Sequence, residues 1–183
     1  MSRESNYQAF PNQEWRNTLQ STIEIGLATR LLQLPRGGRV LEVGCGRGVA
    51  LGPLTRVCEP ASLTALDIDS DLLEVARQAA AQEGIEVSFV HGDVRAMPFA
   101  DHSFDLVVDF GTCYHVAGRA AAVEEVERVL APGGLFFYES PLSQAIAHPS
   151  RTTWRRLPWR GTCLRPIARA GLWSARVKLS QPA

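Results

Sequence analysis

Three glycines at alternate positions, Gly44, Gly46 and Gly48 in LEVGCGRG, follow the short apolar run RVLEV. Glycines at that point let a buried strand turn sharply into a helix and let a ligand lie against the main chain. Val49 stands where the dinucleotide fingerprint GxGxxG needs its third glycine, so the spacing argues against a nicotinamide dinucleotide. Asp67 closes the run SLTALD 25 residues after Glu42. A carboxylate at the tip of a second strand has two acceptor oxygens, which suits the vicinal diol of a ribose. Asp69, two residues on, is read as the N-cap of the next helix. A third acid, Asp93 in His91-Gly92-Asp93, ends a third apolar run at the same edge. For proton transfer, His115 in Thr112-Cys113-Tyr114-His115 is the first choice, because it follows the fourth strand and titrates near neutrality. Tyr138 and Glu139, at the end of a fifth strand, come next. His91, His102 and His148 are expected to face solvent.

The elements that must position these residues alternate. Apolar residues recur at helical spacing from Trp15 to Leu34, and Pro35-Arg36-Gly37-Gly38 breaks the pattern. Strand RVLEV, the glycine turn and a helix from Val49 to Cys58 follow, then strand SLTALDID and helix DSDLLEVARQAAAQEG. EVSFVHGD, FDLVVDFGT, a helix from Ala120 to Leu130, the turn Ala131-Pro132-Gly133-Gly134 and the strand LFFYES complete the rhythm. Strands apolar on both faces and separated by helices predict an α/β fold with a parallel sheet covered on both sides. After Ser140 the period is lost: residues 141–161 read as a loop or lid, 163–171 as a last helix and 172–179 as a last strand.

Taken in order, LEVGCGRG, LTALDIDSDLLEVAR, VHGDVRAMPFADHSFDLVV and LAPGGLFFYES resemble the class I S-adenosylmethionine-dependent methyltransferases over about residues 39–140. The resemblance implies a Rossmann-like three-layer αβα sandwich with a mostly parallel sheet. It also implies S-adenosyl-L-methionine as cofactor and S-adenosyl-L-homocysteine as product. Gly44, Gly46 and Gly48 would approach the methionine part, with Glu42 beneath the turn and Cys45 packed between the glycines. Asp67 would take the ribose hydroxyls, Ile68 would pack on the adenine, and Asp93 with Val94 would meet its amino group and ring. Asp109, Phe110 and Gly111 would border the methionine end and the methyl group. Read without the resemblance, Glu42 is a helix-dipole partner, Ile68 a core residue and Asp109 a cap. The reaction implied is an in-line displacement at the sulfonium carbon, in which a neutral thioether leaves and positioning carries most of the catalysis. Two further strands normally follow the fifth, yet here only 172–179 reads as one, so the C-terminal strand region is expected to be short or incomplete.

At 183 residues one domain is expected: a helical cap over 1–38, a cofactor-binding core over 39–140 and a variable acceptor region over 141–183. In that variable region Trp154 and Trp159 could line an acceptor pocket, and Tyr7, Phe10 and Trp15 could roof the cofactor. No signal peptide or transmembrane helix fits the polar start and the interrupted apolar stretches, and a cytoplasmic location is expected. Cys45, Cys58, Cys113 and Cys163 are spaced 13, 55 and 50 residues apart, which suits free thiols and no metal site. Seven arginines and Lys178, with no acid, give residues 141–183 a charge of +8 and leave −8 on the rest. That tail folds back on the acidic body, stays solvated or meets an anionic partner. A small-molecule acceptor is the leading expectation. Nucleic acid is disfavoured by Asp109-Phe110-Gly111-Thr112, which is no base-reading tetrapeptide. An RNA or lipid acceptor, a non-catalytic cofactor-binding protein and a homodimer stay open.

Overall fold

The computed structural model describes Ile25, residues 34–139 and residues 174–178. In chain order the elements are β1 (Arg39–Val43), α1 (Leu51–Cys58), β2 (Ser62–Asp67), α2 (Ser70–Glu83) and β3 (Ser88–His91). β4 (Phe104–Asp109), α3 (Thr112–His115), α4 (Arg119–Val129), β5 (Leu130–Glu139) and β6 (Ser174–Lys178) follow. They form one sheet in the order β3-β2-β1-β4-β5-β6. The first five strands are parallel, and β6 runs antiparallel to β5. Strand order therefore reverses between β1 and β4, and in such sheets ligands lie beyond the carboxyl ends of the strands at that reversal.

Side chains alternate across the strands and feed two apolar layers. Val40, Ala65, Leu106, Val108 and Phe137 face α1 and α2, where Leu54, Cys58, Leu73 and Ala76 meet them together with Ile25 and Leu34. Leu41, Val43, Leu66, Val107 and Phe136 face the other way, onto Ala122, Val126 and Val129 of α4 and onto Val94 and Met97. This is the three-layer sandwich the alternation predicts.

Local chemistry sets the ends of the elements. Asp69 caps α2, its carboxylate accepting the N–H groups of Asp71 and Leu72 at 2.9 and 3.2 Å. The helix stops on Gly84 in the left-handed conformation at φ 65°. α1 begins at Leu51 rather than Val49, because residues 46–50 are spent on the glycine turn. Ala131-Pro132-Gly133-Gly134 is not a turn ahead of β5 but an irregularity within it. Leu130 already pairs with Phe104, and pairing resumes at Leu106 with Leu135. Pro132 has no N–H for the ladder and Gly133 sits at φ 78°, so these residues loop out while both flanking leucines stay paired.

The connection from β3 to β4 is held mainly by Arg128 of α4. Its guanidinium donates to the Met97 and Phe99 carbonyls at 3.0 and 2.7 Å and to Asp101 and Glu125 at 2.7–2.8 Å. Glu125 in turn accepts the Met97 N–H at 2.6 Å. A long irregular segment thereby gains a defined position. Leu106 is fully buried on the central strand β4. Leu106→Ala is expected to lower the unfolding free energy by about 2–5 kcal/mol in urea titration, through lost burial and the cavity left behind.

Candidate functional site

The strand tips around the reversal point are stitched to one another by main-chain groups. Gly44 and Cys45, leaving β1, both donate their N–H groups to the Leu66 carbonyl of β2, at 2.7 and 3.1 Å. Gly46 donates to Asp67 Oδ2 at 2.7 Å, and Asp69 to Asp67 Oδ1 at 2.9 Å. Gly92, past β3, donates to the Asp67 carbonyl at 2.9 Å. Beyond β4, Asp109 accepts the N–H groups of Gly111, Thr112 and Cys113 at 2.8, 2.5 and 3.1 Å, so its role as a cap of the following segment is realised. Thr112 reaches back across the reversal point to the Gly44 carbonyl at 3.5 Å.

The three glycines of the turn do different work. A Cβ on Gly44 would lie 1.7 Å from Thr112 Oγ1, so this glycine makes room for the β4–α3 connection. On Gly48 it would meet Leu51 and Ala76 at 2.9 and 3.0 Å, so this one lets the turn pack on α2. Only on Gly46 would it meet nothing within 4 Å. All three have positive φ, between 53° and 78°. Of the three, Gly46 is the glycine with open space beside it, where a ligand can approach the backbone.

Three carboxylates gather under this opening. Glu42 is 2% exposed, Asp67 8% and Asp109 1%. Glu42 Oε2 has no hydrogen-bond partner. Burial, reinforced by the charges of Asp67 and Asp109, pushes the Glu42 carboxyl up to about 8. Burial also raises Asp109, against the pull of the donors it accepts. An unpaired buried acid beside two more is costly unless a cation or a proton compensates it. The arrangement suits a positively charged ligand. The neighbouring thiols are poor nucleophiles: burial, with nearby carboxylates, pushes Cys45 and Cys113 far above the ordinary thiol range, and burial raises Cys58 to about 11. Cys45 is 5% exposed and serves packing. Among the described residues no group of three His, Cys, Asp or Glu side chains could hold a metal ion.

Ile68 is 62% exposed, so it is not a core residue but an apolar side chain offered to the surface next to Asp67. Val94 is buried. Asp93 lies two residues past β3, and both its oxygens are engaged by the Arg95 guanidinium at 2.6–3.1 Å, which holds its carboxyl below the usual range. Arg95 also donates to the Ala117 carbonyl at 3.1 Å, linking this tip to the segment after α3. Phe110 is half-buried with its ring edge-on to Phe137 at 5.5 Å, and Gly111 turns the chain at φ 109°. His115 is exposed at the end of α3. Tyr138 pairs with Asp109 in register but stacks on Phe136 at 5.2 Å, on the α4 side of the sheet. Glu139 pairs with Ser174 of β6. His91 and His102 are exposed as expected, yet each binds a carbonyl, of Ile68 at 3.0 Å and of Leu130 at 2.9 Å. Tyr7, Phe10, Trp15, His148, Trp154, Trp159 and Cys163 lie outside the described residues. Thr112 and Arg95 were not foreseen as site residues. Asp93-x-Arg95 spacing was the one local signal available for Arg95.

A family profile described as "Methyltransferase domain" matches residues 41–138, more than half the chain. The chain is similar to the fatty-acid O-methyltransferase of Mycolicibacterium smegmatis, with 41% identity over 102 residues, 56% of this chain and 36% of that protein. It is also similar to the phthiotriol/phenolphthiotriol dimycocerosates methyltransferase of Mycobacterium tuberculosis, with 42% identity over 109 residues, 58% of this chain and 39% of that protein. The chain thus spans less than half the length of these curated relatives. Among solved structures it resembles the YcgJ protein of Bacillus subtilis at a TM-score of 0.59 and 29% identity, over 64% of this chain and 50% of that one. The matched residues run from within β1 to Tyr138 of β5, the part of the molecule that gathers the carboxylates, and the chain belongs to the class I S-adenosylmethionine-dependent methyltransferase family.

Proposed function

We propose that the protein transfers a methyl group from S-adenosyl-L-methionine to a small acceptor with a long apolar part, within a single domain. The observation that carries the cofactor reading is Glu42: an almost fully buried carboxyl with an unpartnered Oε2, beside Asp67 and Asp109 and below the open flank of Gly46. When bound, S-adenosylmethionine supplies a methyl carbon made electrophilic by a sulfonium. Asp67 and Asp109 give its cationic end a negative surrounding, and Glu42 adds its charge where the cation displaces its proton. Each Asp67 oxygen accepts one N–H and keeps a lone pair free, which suits a ribose hydroxyl. Exposed Ile68 and buried Val94 offer apolar contact to the adenine, and Asp93 stands beside them in the clasp of Arg95. Asp109 fixes Phe110 and Gly111 at the methionine end by holding the main chain that follows them. The acceptor class is supported by the relatives named for fatty-acid and phthiotriol acceptors. A carboxylate acceptor brings its own nucleophilic oxygen, whereas a hydroxyl must lose a proton. His115, at the end of α3 beyond the β4 tip, is the residue assigned to take it.

Asp67→Ala is expected to weaken S-adenosylhomocysteine binding at least tenfold, about 1.4 kcal/mol, in isothermal titration. Unchanged affinity would remove the cofactor reading. An acceptor screen read as S-adenosylhomocysteine release should respond to fatty acids and long-chain alcohols. Release only with RNA, lost steeply as salt rises, would replace the acceptor class. Binding without release on any acceptor would leave a non-catalytic cofactor-binding protein. The Glu42 carboxyl moves from an ordinary 4.5 to about 8 on folding, so the folded chain holds the extra proton in between. Its contribution to stability is full below about 4.5 and lost as pH rises through about 8. Urea titrations of the unliganded protein should show a falling contribution over that window, at most about 1.4 kcal/mol per pH unit, which Glu42→Gln abolishes.

A further inference from the structure

Ile68 is the exposed apolar residue next to Asp67, and at 62% exposure little packing holds its side chain in place. Its direction must come from the backbone that carries it. That backbone is anchored on three sides. The Asp67 carbonyl accepts the Gly92 N–H at 2.9 Å, the Asp69 N–H turns back onto Asp67 Oδ1 at 2.9 Å, and the Ile68 carbonyl meets His91 Nε2 at 3.0 Å. The first two bonds are main chain or belong to the acid itself. The third is a side chain from the tip of β3, whose Cα pairs in register with Asp67. Since a carbonyl can only accept, the ring must carry its proton on Nε2.

We propose that His91 is a positioning residue of the adenosine site: its Nε2–H holds the Ile68 peptide so that Ile68 and Asp67 present a preset surface to the nucleoside. The inference rests on the cofactor reading above and adds to it a residue of β3 that acts through Ile68. Ordering this peptide before the ligand arrives removes a cost that binding would otherwise bear. A hydrogen bond of this kind is worth about 0.5–1.5 kcal/mol, or about two- to twelvefold in affinity.

The test is a double-mutant cycle on S-adenosylhomocysteine affinity, measured by isothermal titration on the full chain. His91→Ala should weaken binding about threefold to tenfold. His91→Gln, whose amide N–H can reach the same carbonyl, should recover most of the loss. In an Ile68→Ala background His91→Ala should add almost nothing, because the residue it positions has gone. Hydrogen exchange of the Asp69 and Gly92 amides in the unliganded protein should quicken in His91→Ala and stay slow in His91→Gln. Equal loss with and without Ile68, or no loss with His91→Ala, would overturn the inference while leaving the cofactor reading intact. Failure of the unsubstituted protein to bind S-adenosylhomocysteine would overturn that reading first. Unchanged amide exchange in His91→Ala would then count against His91 on its own.

Discussion

Glu42 is an acid on the central strand of a parallel sheet, where its neighbours along the strand, Leu41 and Val43, are fully buried apolar residues. By the alternation of the strand it occupies the face used by Val40, where a further aliphatic side chain would have extended the core. The chain accepts instead a carboxyl with an unpartnered oxygen, raised by burial and by two neighbouring acids. That cost falls when a proton or a cation compensates the group. The other features of the edge follow from keeping this group near the reversal point yet away from water.

The parallel register is what brings the acids together. Val43 pairs with both Leu66 and Asp109, so the tips of β2 and β4 flank the end of β1. Asp67 and Asp109 then have different tasks from Glu42. Each spends oxygens on main-chain N–H groups of the turns that leave the sheet, and thereby shapes the loops. The glycine turn divides in the same way, with Gly44 yielding to Thr112, Gly48 yielding to α2, and Gly46 left open. Gly44 and Gly48 are thus fixed by packing, and a substitution at either would disturb the turn through its neighbours.

Strand and helix alternation, the glycine turn, the Asp69 cap and the acids that close β2 and β4 are all legible in the sequence, because each depends on residues a few positions apart. The irregularity within β5 was not, since Ala-Pro-Gly-Gly has the composition of a turn and only pairing of Leu130 and Leu135 with β4 makes it part of the strand. Nor was the capture of Asp93 by Arg95, which depends on how a guanidinium reaches back over its own loop and onto Ala117.

Periodicity and spacing by themselves determined an α/β sheet with a glycine hinge and carboxylates at its strand ends. Only the tertiary structure decided what those residues experience. Gly44 must be glycine because of Thr112, 68 residues away; Glu42 lost its water because its strand lies between β2 and β4 in the middle of the sheet; Ile68 came to the surface directly after the buried run from Leu63 to Asp67. Burial and electrostatic shifts are sums over groups distant in the chain, so local sequence can nominate a side chain for chemistry while its solvation and charge are set by the fold.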